Sequence, residues 1–289
     1  TMEACIKESR LWKYFDQDPL VINERVNSMR RKGLEPDEEY ADWLLKVGVN
    51  ELPNYEIPNL DPDVSSFIKL PEKLIDHKSE SLEGFIENMY PDMGNETTPT
   101  IILTSINENV HKINDMCLER FPGEYEAPFV SVDEVLDTTQ GHLYSSDDLN
   151  NMNPNSLPRH EIRLKKNSPV MLMRNINVRE GLANGTRLKV LQCMERSIFC
   201  EICTGPDHFV GKKVFIPKLF ITNDNDDYFQ MKRYQLPIRV CFAMTINKAQ
   251  GQTLQKVGLY MPKPCFAHGQ LYVALSRVTH PKFLQRFIP

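Results

Sequence analysis

Two short stretches carry the residue types that chemistry needs. Residues 247–253 read Asn-Lys-Ala-Gln-Gly-Gln-Thr and lie between the apolar stretches FAMTI and VGLYMP. Residues 104–109, Thr-Ser-Ile-Asn-Glu-Asn, follow the apolar run TIIL. Amide, hydroxyl and ammonium donors grouped in a turn at the end of a strand suit phosphate oxygens, of a nucleotide or of a nucleic-acid backbone. Helix capping by Thr, Asn and Gly explains the same composition. A third candidate is Cys193 with Cys200, Cys203 and His208, enough ligands for one zinc ion. A single C-x-x-C without a second close pair, in a stretch with strand texture, argues against that, and no metal is expected.

The elements around these stretches alternate between two textures. EPDEEYADWLLKVG predicts a helix with an acidic first turn and an apolar face of Tyr40, Trp43, Leu44 and Val47. SLEGFIENMYPDM predicts a short helix ended by Pro91. Ile101, Ile102 and Leu103 predict a buried strand, and Val110, Ile113, Met116 and Cys117 stripe the helix that follows. From Ile162 to Thr222 short β-type runs are broken by turn signals such as Ala183-Asn184-Gly185, which predicts a small antiparallel sheet or barrel. PIRVCFAM then predicts one strand, Thr245 an N-cap, INKAQ a single helical turn, Gly251 its stop and QKVGLYMP another strand. In FAHGQLYVALSRVTHP, Leu271, Ala274, Leu275 and Val278 predict the buried face of a helix, with Gln270, Tyr272, Ser276 and Arg277 directed elsewhere. A parallel sheet needs strands from both sides of the β-rich stretch, so that stretch is expected to be an insertion in one α/β domain.

Charge divides the chain in the same way. Residues 1–158 carry 13 Lys+Arg against 31 Asp+Glu; residues 159–289 carry 21 against 8. The formal net charge of −5 hides this polarity. A basic half of that size favours a polyanionic partner, most simply nucleic acid, although acidic and basic faces pairing within one fold account for it too. The seven cysteines are scattered and odd in number, as expected in a reducing compartment. No run reaches the roughly 18 apolar residues of a membrane span, nor does the N-terminal stretch have the apolar core of a signal peptide.

The run 247–253, followed by LYVALSRV, resembles motifs V and VI of superfamily 1 helicases. The wording of residues 242–278 looks most like the Pif-type helicases encoded by Helitron transposons. LPRHEIRLKKNSPVMLMRNINVREGLANGTRLKV is similar to that family's Src-homology-3-like insertion, and ILTSINENVHKIN to the segment opening its second RecA-like domain. KESRLWKYF and YADWLLKVGVNELP fit the stretch after motif III. The resemblance implies an α/β fold, a RecA-like parallel-sheet domain interrupted by a small antiparallel β-barrel. It implies a connecting region and first part of the second RecA-like domain over 1–158, the insertion over 159–235, and the remainder with motifs V and VI over 236–289.

By the same resemblance the chain is the C-terminal half of an ATP-dependent 5′ to 3′ DNA helicase of the nucleus. The G-x-x-x-x-G-K-[ST] phosphate loop is missing, so ATP and Mg2+ would bind only with the first RecA-like domain of the same polypeptide. The chain by itself is expected to bind single-stranded DNA weakly and to hydrolyse no ATP. Arg277 is implied as an arginine finger and Arg25, in the L-x-x-N-x-R pattern of residues 20–25, as a second; Gln250 and Gly251 would sit near the nucleotide. Thr104, Asn107, Thr245, Asn247 and Lys248 would hold backbone phosphates of single-stranded DNA, and Arg174, Asn175, Asn184 and Thr186 would guide the strand. The Asn184-Gly185 pair serves equally as a plain hairpin turn. Two other classes compete: a degenerate nucleic-acid-binding module without motor activity, and a zinc-stabilised protein-interaction domain.

Overall fold

The structure is a computed structural model describing residues 9–16, 27, 30–31, 35, 37–53, 68–94, 99–136, 144–223, 230–252, 254–263, 265, 267, 269–278 and 280–287. Arg25 and Thr253 lie outside the described residues. In chain order the elements are α1 (Glu38–Gly48), α2 (Leu82–Met89), β1 (Thr100–Thr104), α3 (Asn107–Arg120), β2 (Phe129–Val130), β3 (Val132–Val135), α4 (Ser146–Asn151), β4 (Glu161–Ile162), β5 (Pro169–Leu172), β6 (Arg187–Cys193), β7 (Ser197–Ile202), β8 (Lys213–Pro217), β9 (Leu219–Thr222), β10 (Met231–Gln235), β11 (Ile238–Val240), β12 (Ala243–Thr245), β13 (Lys256–Tyr260), α5 (Gln270–Leu275) and β14 (Leu284–Phe287).

Helix starts follow local chemistry. The Asp37 carboxylate accepts from the Tyr40 amide at 2.8 Å and begins α1; Ser81 accepts from the Gly84 amide at 3.1 Å and begins α2. A reciprocal capping box between Ser145 and Asp148 begins α4.

Strands β12, β1, β13 and β14 lie side by side in that order, all parallel. β1 precedes the β-rich stretch and its two neighbours follow it, so the parallel sheet takes strands from both sides of that stretch. Side chains alternate across this sheet. Ile101 and Leu103 face a core with Tyr40 of α1, Leu275 of α5, Ile246 and Ala249. Ile102 faces the opposite core with Phe85, Ile86 and Met89 of α2 and Ile113 and Cys117 of α3.

The insertion is built on an antiparallel sheet in the order β11, β5, β6, β7, β8, around Leu164, Val170, Leu188, Ile198, Ile202 and Ile216. Among the described residues β11 and β8 do not pair, so this sheet is open where a barrel was expected. A second sheet, β3, β10, β9, draws β3 from before residue 159, so the module takes strands from outside the expected 159–235 segment.

One expectation is corrected at the return to the α/β part. PIRVCFAM is not a single strand: β11 pairs antiparallel with β5 of the insertion, whereas β12 pairs parallel with β1. Asn114 of α3 explains how the chain changes sheets between them. Its Oδ1 accepts from the Phe242 and Ala243 amides at 2.8 Å each, and its Nδ2 donates to the Ala243 carbonyl at 3.2 Å. Those backbone groups, buried where neither ladder reaches all of them, are thereby satisfied.

Lys165, 6 % exposed, fixes the insertion to the α/β part. Its ammonium donates to the Glu119 and Phe121 carbonyls, 3.1 and 2.6 Å away, at the C-terminus of α3. The negative end of that helix neutralises a cation that burial alone would disfavour.

Candidate functional site

Thr104 and Thr245 are register partners at the carboxyl ends of two adjacent parallel strands. This is the edge of an open α/β sheet where ligands bind. Thr245 is half-buried and makes no side-chain capping bond. Asn107 is half-buried at the first position of α3, and the preceding Ile106 offers no capping side chain, so the helix presents its amide end uncapped by a side chain. Thr104 corrects an expectation. It is fully buried, with Asn109 Nδ2 3.4 Å from its hydroxyl, and so braces the strand end instead of facing a strand of nucleic acid.

The run 246–252 forms a 3-10 turn over Ile246–Ala249 and then a left-handed residue, Gly251, at φ 81°. Ile246 and Ala249 are fully buried and anchor the turn, while Asn247, Lys248, Gln250 and Gly251 are exposed. A Cβ at Gly251 would meet nothing within 4 Å, so the glycine is required by its backbone angle and leaves open space beside Gln250. Although Lys248 is exposed as a residue, partial burial of its ammonium, with Arg239 as a second cause, pushes its pKa down to about 8. The Lys248 carbonyl accepts from Gln252 Nε2 at 3.1 Å.

Arg277 holds this turn from below. It lies off the face of Leu271, Ala274, Leu275 and Val278, yet it is buried as well, at 5 % exposed. Its Nη1 donates to the Ala249 and Gln252 carbonyls at 3.2 and 3.0 Å, its Nε to Val273 O at 2.7 Å and its Nη2 to Ser276 Oγ at 2.8 Å. Gln270, also off that face, is 3 % exposed, with its Nε2 3.4 Å from Asn247 Oδ1. The two polar ends of the α5 segment therefore support the two ends of the 247–252 run.

The four residues expected to guide a strand fall into two groups. Arg174 is half-buried and donates to the Thr222 carbonyl at 2.7 Å. The others build one turn: Asn175 Oδ1 accepts from the Asn184 amide at 2.8 Å, and the Thr186 hydroxyl donates to Gly181 O at 2.9 Å. Gly185 in this turn has φ 89°, and a Cβ there would lie 3.6 Å from Gln252 Nε2. The insertion's turn thus abuts the 247–252 run, a proximity that no local pattern shows.

The candidate zinc residues lie on and after β6 and β7. Cys200 is buried in the insertion's core and its thiol is pushed up to about 12 by burial, whereas Cys203 is exposed. Among the described residues no three or more His, Cys, Asp or Glu side chains are grouped to hold a metal, and no helix is long and apolar enough to cross a membrane.

Residues 148–193 match the family model for the 2B domain of the DNA helicase Pif1. The chain is similar to Pif1-type DNA helicases. It is 29 % identical over 185 residues to the ATP-dependent DNA helicase PIF1 of Xenopus laevis, covering 61 % of this chain and 25 % of that protein. It is 36 % identical over 98 residues to the ATP-dependent DNA helicase RRM3 of Saccharomyces cerevisiae, covering 34 % of this chain and 13 % of that protein. The crystal structure of the Pif1 helicase from Candida albicans superposes with a TM-score of 0.59 over 97 % of this chain and 59 % of that one, at 22 % identity. The fold is therefore similar to part of that Pif1 helicase, and this chain spans about a quarter of the Xenopus relative's length.

Proposed function

We propose that this chain is the second motor domain, with its β-rich insertion, of a Pif1-type ATP-dependent helicase that moves 5′ to 3′ on single-stranded DNA. The wording of residues 242–278 supports placing it with the helicases of Helitron elements, which act in the nucleus. The observation that carries the reading is the bonding of Arg277 to the carbonyls of Ala249 and Gln252. It makes one rigid unit of an exposed Asn247-Lys248 pair suited to a phosphodiester strand and a Gln250-Gly251 corner suited to a nucleotide.

ATP and Mg2+ would lie between this chain and a first RecA-like domain. Gln250 and the open space at Gly251 fit the far wall of such a site, where a nucleotide contributes charge that polar donors stabilise. Arg277 would reach it only by leaving the turn it now holds, so its finger role is coupled to movement of residues 249–252. Asn107, Thr245, Asn247 and Lys248 would hold the strand, with Asn184 and Thr186 beside them across the Gly185 contact. Arg174, Asn175 and Arg25 complete the proposed set.

The test joins this chain to a Pif1-type first motor domain and measures ATP hydrolysis with and without oligo-dT. Strand-stimulated hydrolysis that falls with Lys248→Ala is expected. Strand binding without hydrolysis would leave the degenerate binding module as the better reading, and hydrolysis undiminished in Arg277→Ala would remove the finger.

A further inference from the structure

Between α3 and the insertion lies a cavity of about 450 Å³, within the range of roughly 300–1,000 Å³ that ligand pockets occupy. Val110, Leu118, Met173 and Val240 give it apolar walls, and Tyr125, with the Lys165 ammonium 4.6 Å from its ring centre, is among the lining residues. A second cavity of about 190 Å³ adjoins it, reaching Glu108 and Asn153. The two share His111, Leu157, Arg159 and Arg239, which form the neck between them.

The neck holds an electrostatic imbalance. Arg159 is paired with Asp115 through two contacts of 2.7 and 3.0 Å, and Arg163 with Glu161. Arg239 has no carboxylate partner among the described residues: its Nη2 donates to Asn155 O at 3.1 Å, and its buried Nε has no hydrogen-bond partner. A half-buried guanidinium without a carboxylate partner is stabilised by an anion beside it. Burial, then Arg159 and Arg239, push the half-buried His111 pKa down, with Asp115 opposing them. Of the carboxylates lining the larger chamber, Asp115 and Glu161 are paired with Arg159 and Arg163, and Glu119 disfavours a second anion there.

We propose that the paired cavities are a nucleotide subsite, with the phosphate at the Arg239–His111 neck and the base in the apolar chamber beside Tyr125. The inference rests on the strand-binding reading above, since α3 begins at Asn107 and Lys248 is an electrostatic neighbour of both Arg239 and His111. A strand crossing that edge brings its phosphates to the mouth, where an unstacked base can turn inward and stack on an aromatic face. A free mononucleotide has the same chemistry, so the source is decided by experiment.

Methionine methyl groups labelled with 13C report on the chamber through Met173. Three probes are titrated, dTMP, a dT8 oligonucleotide and inorganic phosphate, while fluorescence anisotropy follows dT8 binding separately. dT8 and dTMP are expected to shift the Met173 resonance and inorganic phosphate is not. Arg239→Gln should raise the half-saturating dTMP concentration by roughly tenfold, the scale of one lost charge-assisted bond. If dT8 binds by anisotropy but neither nucleotide moves Met173 in the unmodified chain, the subsite is overturned and strand binding stands. If dT8 does not bind while dTMP moves Met173, strand binding falls and the cavity is a site for free nucleotides. If neither probe binds, both ideas fall.

Discussion

The guanidinium of Arg277 lies 3.2 Å from the carbonyl oxygen of Ala249, joining the end of α5 to a turn 28 residues earlier in the chain. It holds the Gln252 carbonyl too, at 3.0 Å, so removing it leaves both carbonyls without that partner. Arg277→Ala is expected to destabilise the chain by about 2 kcal/mol, because the Ala249 carbonyl keeps the Gln252 amide, 3.1 Å away, and only the Gln252 carbonyl is left without a donor, at roughly 1–3 kcal/mol for a buried group. Arg277→Lys, which keeps the charge but not the planar fork, should recover only part of this. Urea unfolding midpoints check the magnitude. Faster amide exchange at Gln252 in the Ala variant localises it; unchanged exchange there would show that the clamp does not hold the turn.

Lys248 links pH to two observables of opposite sign. Its folded-state pKa of about 8 lies below the ordinary lysine value of 10.5, so between these values the unfolded chain binds more protons than the folded one. Stability therefore gains from this group as pH rises through that window, and carries its full cost below pH 8. Strand binding needs the charged form, so affinity for oligo-dT is expected to fall from pH 7 to pH 9. Lys248→Ala should flatten that fall and reduce the slope of log K against log salt by roughly 0.7, one phosphate contact on a single strand. A salt slope identical in the variant would mean that Lys248 touches no phosphate.

Asn114 is the internal bracket at the point where the chain leaves one sheet for the other. Asn114→Ala strands two amides and a carbonyl, and is expected to cost about 2–4 kcal/mol. Asn114→Asp keeps the oxygen that accepts from Phe242 and Ala243 and should be the milder change at pH 5 than at pH 8, because protonation restores a donor for the Ala243 carbonyl. Thermal unfolding of the two variants at both pH values decides it.

Much of the α/β frame is written in local pattern. The run TIIL is apolar on both faces because β1 is central, between β12 and β13, and acidic or serine caps stand where α1 and α2 begin. What local pattern does not carry is the destination of polar side chains. PIRVCFAM has the continuous apolarity of one strand, and only Asn114, far away in the chain, shows why it serves two sheets. Arg277 and Arg233 are polar types whose side chains are nonetheless buried, because carbonyls of irregular backbone need donors, and Gln270 is buried beside Asn247. For the same reason the site was half visible: the composition of the 247–253 run is plain, but its support by Gln270 and its contact with the Gly185 turn arise from tertiary packing. Arg239 carries no signal beyond its type, since an unpaired charge is defined by neighbours that the sequence does not order.

Arg233 also supplies the sharpest test of what fixes the second antiparallel sheet. Its Nε and Nη2 pair with Asp133 Oδ1 and Oδ2 at 2.8 and 2.7 Å between β10 and β3, and the two side chains are 0 % and 1 % exposed. The same guanidinium donates to the carbonyls of Pro158, Leu149 and Met152, so one cation satisfies the ends of α4 and of the loop beyond it. Asp133→Ala leaves that cation buried without its anion and is expected to cost about 3–5 kcal/mol. Arg233→Met should cost at least as much, because the three carbonyls lose a donor along with the carboxylate. The double variant Asp133→Leu/Arg233→Met removes both charges, so it should be more stable than the sum of the single changes implies, while remaining below the parent because the carbonyls stay unsatisfied. Strict additivity in the three unfolding free energies would show that the pair is not coupled, and that the carbonyls alone place Arg233.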